Sequence, residues 1–122
     1  MSFRKINDPG ECATLLTVQF EDEETTLAAA KALGSKPVIA SGWHVYNNME
    51  QILALTDEQD APLYHKHMLP KTDDILSRSI NLSVGVIDPG LGADFGIYPG
   101  SSDDEIDQKA EEFIKLIRPI AG

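Results

Sequence analysis

The 122-residue chain has a single cysteine, Cys12, so no internal disulfide can form. A lone thiol suits a reducing compartment, and a cytoplasmic location is expected. Cys12 opens a predicted strand with no basic neighbour in sequence, so packing is expected of it rather than nucleophilic attack. Basic side chains are also scarce, 10 against 20 acidic ones, giving a formal charge of −10. That surface repels phosphate backbones, which argues against nucleic-acid and anionic-membrane partners. No apolar run approaches the ~20 residues of a membrane helix. The polar start Met1-Ser2-Phe3-Arg4-Lys5 does not read as a signal peptide. Internal repeats and low-complexity linkers are missing too. What remains is one domain over residues 1–122, with 42% hydrophobic residues to fill a core.

The strongest local pattern lies late in the chain. Ile80, Leu82, Val84 and Val86 alternate with Asn81, Ser83 and Gly85, the period of a strand with one side in a core. Thr72 is the expected cap of a short helix over 73–79 just before it, with Ile75, Leu76 and Ser79 facing inward. After the strand comes a loop over 88–100 that opens on the turn Asp88-Pro89-Gly90. A helix then starts from a capping box, Ser102 with Glu105. Ile106, Ala110, Phe113, Ile114 and Ile117 form its apolar stripe, and Arg118-Pro119 should end it.

Earlier in the chain, residues 13–20 read as a strand with Leu16, Val18 and Phe20 on one side. Glu21 to Glu24 precede an alanine-rich helix over 25–33 that Gly34 closes. Carboxylates at the entry and glycine past the exit suit a helix, and a metal at the four carboxylates is not expected. Residues 37–41 are predicted as a second strand. Asn48 should cap a helix carrying Met49, Ile52 and Leu53, and residues 56–71 are a polar loop. The fold class expected is α+β: a small, mostly antiparallel sheet backed by helices on one face, a two-layer sandwich.

The densest set of aromatic and polar donors is Trp43-His44-Val45-Tyr46-Asn47-Asn48. Aromatic faces beside amide and imidazole edges suit a sugar or nucleotide-sugar ligand. A strand-to-helix junction, with Trp43 packing and Asn48 capping, accounts for the same residues. His65 and His67, two apart, could hold a metal together with His44, but no cysteine or carboxylate stands at a supporting spacing. The glycines of loop 88–96 do not make a dinucleotide fingerprint, because Phe95 stands where its third glycine would be, and no Gly-Lys-Ser/Thr follows.

Two blocks carry a family resemblance. Residues 41–53 (SGWHVYNNMEQIL), and residues 69–97 (LPKTDDILSRSINLSVGVIDPGLGADFGI) continuing to SSDDEID at 101–107, resemble the C-terminal part of the DegT/DnrJ family. These are sugar aminotransferases that depend on pyridoxal phosphate. The resemblance implies the small C-terminal domain of fold-type I pyridoxal-phosphate transferases, without the large cofactor-binding domain. It also implies that Trp43, His44, Tyr46 and Asn47 face the substrate. The chain has seven lysines, Lys5, Lys31, Lys36, Lys66, Lys71, Lys109 and Lys115, and none has the flanking pattern of the family's cofactor lysine. Pyridoxal phosphate is therefore expected only if a large domain completes the site, and no catalytic residue is assigned in this chain. Expected partners are that large domain or a second copy of the chain, because an isolated small domain exposes apolar surface. A different class of function, a free-standing ligand-binding or regulatory α+β domain using the 43–48 junction as its pocket, is the other reading.

Overall fold

The structure, a computed structural model, describes residues 1–5, 14–42, 44–85, 90 and 92–122. Its elements are β1 (Ser2–Phe3), β2 (Leu15–Gln19), α1 (Glu23–Ala32), α2 (Glu50–Leu53), α3 (Pro70–Ser77), β3 (Ser79–Ser83), β4 (Ala93–Asp94) and α4 (Asp103–Ala121). The strands form one sheet in the order β1-β2-β3-β4. The first two pairings are antiparallel and β3–β4 is parallel. The α+β class and the mostly antiparallel sheet are as expected from the sequence.

The alternation in β2 and β3 explains the core. Val18 lies opposite Ile80 and Leu16 opposite Leu82, so the apolar halves of both strands share a face. Val18, Phe20, Ile80 and Leu82 are buried there with Ala29 and Ala30 of α1 and Phe113 and Ile117 of α4. Phe95, beyond β4, meets Phe113 edge to face with ring centroids 5.8 Å apart. The opposite face of β2 and β3 is polar apart from Leu15. Thr17 and Asn81 are cross-strand partners, and the Thr17 hydroxyl donates to Asn81 Oδ1 at 2.8 Å.

Each main helix starts from a cap. Asp22 accepts the Thr25 amide at 2.7 Å, and that bond holds its carboxyl below its usual range. Gly34 leaves α1 with φ +63°, a backbone turn that glycine allows freely. The capping box of α4 is present as the sequence predicts, with Ser102 N–H donating to Glu105 at 2.7 Å. Gly92 marks a close backbone approach: a Cβ there would stand 2.5 Å from the Asn81 carbonyl oxygen.

Several expectations are corrected. The second strand does not form. Pro37 bridges Ile80 at one point, and the chain then turns through a 3-10 helix, Val38–Ala40, with the Ala40 amide on the Pro37 carbonyl. A proline lacks the amide that would extend a ladder past that bridge. Asn48 does not cap α2; its amide group donates to the carbonyls of Ile39 and Ser41 and pins that turn. Thr72 lies inside α3 rather than capping it, because Pro70 starts the helix and has no amide hydrogen in need of an acceptor. Ile75 is 51% exposed instead of inward. The inward face of α3 is Asp73, Leu76 and Ser77, three and four residues apart. On α4 the buried seam narrows to Phe113 and Ile117, while Ile106, Ala110 and Ile114 stay exposed. α4 also runs past Pro119 to Ala121, because Ile120 and Ala121 pack on the core and outweigh one lost backbone bond. Cys12, Val86 and two of the three residues of the 88–90 turn lie outside the described residues. No helix is long and apolar enough to cross a membrane among the described residues.

Candidate functional site

α3 presents one carboxylate to the body of the protein, and the candidate site is built around it. The Asp73 side chain is 14% exposed. Tyr46 donates its hydroxyl hydrogen to this carboxylate, with oxygens at 2.9 and 3.1 Å. Asn47 Nδ2 donates to Oδ1 at 2.9 Å, and His67 Nδ1 stands 3.2 Å from Oδ2. Two further bonds close the cluster. The His67 amide donates to Asn47 Oδ1 at 2.8 Å, and the Leu69 amide donates to the Tyr46 oxygen at 3.0 Å.

Local sequence explains the arrangement. Val45 is extended, and the 3-10 turn Tyr46–Asn48 then swings two successive side chains toward α3. Pro70 starts α3 where the loop arrives, which places Asp73 in the first helical turn. His67 completes the approach with φ +62°, a left-handed backbone that a residue with a Cβ adopts at some cost.

The electrostatics follow from this crowding. Burial pushes the Asp73 carboxyl up, but the hydrogen bonds from Tyr46, Asn47 and His67 outweigh it and hold it below its ordinary value. Burial pushes the Tyr46 hydroxyl up. The Leu69 amide works against that, while the neighbouring Asp73 adds to it. At neutral pH the cluster therefore holds an ionised carboxylate and a neutral phenol.

Of the sequence-predicted site residues, the structure brings Tyr46 and Asn47 together. His44 is exposed and is not part of the Asp73 hydrogen-bond network, and Trp43 lies outside the described residues. Tyr46 and Asn47 do not point free polar atoms outward. Tyr46 donates once and accepts once, and Asn47 uses both ends of its amide. They act as a clasp that fixes the 64–69 loop against α3. Sequence reasoning missed Asp73 as the hub and considered His67 only for a metal. Nothing in a periodic pattern reports a contact across more than 20 residues.

Among the described residues no three His, Cys, Asp or Glu side chains stand close enough to hold a metal. Nor do the residues fit pyridoxal phosphate. Lys109 is bound to Glu112 at 2.9 Å, the other lysines are exposed, and none joins the Asp73 cluster. A Schiff-base lysine needs a desolvated or cation-flanked setting, which these do not have. A cavity of about 290 Å³ opens elsewhere, between Met1, Glu21, Thr25 and the 118–122 end of α4, and carries no convergent set of reactive groups. Compared with known protein families, curated proteins and solved structures, the chain matches none.

Proposed function

We propose that the chain is the substrate-side small domain of a sugar aminotransferase-like protein of the DegT/DnrJ type. One observation carries this reading. The two sequence blocks that resemble the family are separated by the 54–68 loop, and they meet in space where Tyr46 and Asn47 bond Asp73. A helix-backed α+β sheet supports it as the expected scaffold.

In this reading the domain binds and helps select a sugar or nucleotide-sugar, and proton transfer belongs to a large domain that holds pyridoxal phosphate. The clasp fixes the rim of the ligand site. The isolated chain performs no turnover, whether it occurs as a fragment or alone. Its partner is that large domain or a second copy, and its place is the cytoplasm. Exposed apolar side chains such as Leu55, Leu63, Leu69 and Ile75 supply surface for such an association.

The test is direct. Mixed with pyridoxal phosphate, an amino donor and a nucleotide keto-sugar, the chain should give neither a stoichiometric imine absorbance nor an aminated product. It should associate at micromolar concentration with the large domain of such an enzyme supplied as a separate chain. An imine band abolished by replacing one lysine, or product formed by the chain alone, overturns the reading.

A further inference from the structure

We propose that His67 is the ligand-contacting residue of the clasp, and that its Nε2 accepts a hydrogen bond from a sugar hydroxyl. The sugar class rests on the function proposed above; the role of the imidazole rests on geometry. An ionised carboxylate can only accept, so the Nδ1 contact to Asp73 places the ring hydrogen on Nδ1. A neutral imidazole then carries a lone pair on Nε2. The same logic orients a histidine wherever a carboxylate stands behind it.

Three features fix this one residue. Its backbone amide is held by Asn47, its ring by Asp73, and its backbone by a left-handed φ of +62°. Yet the side chain is 71% exposed. A solvent-exposed histidine gains little stability from such precise placement, and strained backbone that the surroundings enforce clusters where proteins bind ligands. The other polar side-chain atoms of Tyr46 and Asn47 are already engaged within the clasp. Nε2 is the ring atom left to meet a ligand. With a carboxylate behind it and a chain of net charge −10 around it, this acceptor suits a neutral hydroxyl better than an anion. A cation is a poorer fit, because no three-ligand set surrounds the ring among the described residues.

Long-range proton–nitrogen NMR of the neutral ring should show the Nδ1–H tautomer of His67, and a dominant Nε2–H tautomer overturns the proposal. Titration with UDP-glucose and with methyl glucoside should move the His67 Nε2 resonance, whereas uridine monophosphate should not. His67→Asn tolerates the left-handed backbone but removes Nε2. It should keep the melting temperature and weaken UDP-glucose binding about tenfold, the worth of one hydrogen bond. His65→Ala should leave binding unchanged. Equal binding by His67→Asn, a response to uridine monophosphate alone, or no response to either sugar overturns the role of His67. The aminotransferase reading is judged separately, by the imine and association measurements.

Discussion

The sheet with α1 and α4, and the clasp between the 46–48 turn and α3, are held by different physics. In the first, Val18, Phe20, Ile80, Leu82, Phe113 and Ile117 leave water together, and each contact is replaceable by neighbours of similar size. In the second, three donors converge on the carboxylate of Asp73, and no other group can take its place. Burial tolerates variation and gives stability; a converging hydrogen-bond set tolerates none and gives position. A site that must hold a ligand at a fixed distance needs the second kind of construction resting on the first.

The sharpest way to break the comparison is Phe113→Ala. It removes the ring that meets Phe95 and the centre of the α4 seam, and should cost about 3–5 kcal/mol in chemical denaturation. If the loss is under about 1 kcal/mol, the sandwich is not what stabilises the molecule. Gly92→Ala should follow at about 1–3 kcal/mol, because the new Cβ meets the backbone of β3 rather than a side chain that can move.

Asp73→Asn should do less globally and more locally. Amide hydrogen exchange at His67 and Leu69 should accelerate while β3 amides keep their protection. Uniform acceleration across both regions would show that the clasp is part of the core. The pH dependence sharpens this. Asp73 lies below its ordinary value in the folded protein, so its contribution is complete above about pH 4 and is lost as pH falls through the folded value. Tyr46 resonances, followed by NMR, should report that loss in the wild type and not in Asp73→Asn. The smallest expected effect is Ser102→Ala, about 1 kcal/mol in the same denaturation measurement, from loss of the α4 capping box.

The two regions also differ in how far the sequence disclosed them. Alternation at 80, 82 and 16, 18, 20 located β2, β3 and the side that packs, and Ser102 with Glu105 located the start of α4, because each is a short-range pattern with a fixed period or offset. The failures share an opposite cause. Asn48 carries the chemistry of a cap but found carbonyls at Ile39 and Ser41 instead, and residues 37–41 have strand composition but are led by a proline. Ile75 was assigned inward by hydrophobicity, whereas Asp73 holds that face of α3 through partners 26 and 27 residues earlier in the chain. Tyr46 and Asn47 are legible as unusual residues in a cluster; that their polar groups are spent on Asp73 and on the amides of His67 and Leu69 is not, since it depends on where α3 comes to rest.

The sheet has one more property. β1 and β4, its two flanks, are each only two residues long. A further strand arriving at either side would find a ladder too short to extend, which blunts fibre growth by strand addition. Another polypeptide would therefore have to meet side-chain surfaces rather than these flanks, where recognition is written in shape and chemistry rather than in a repeating backbone.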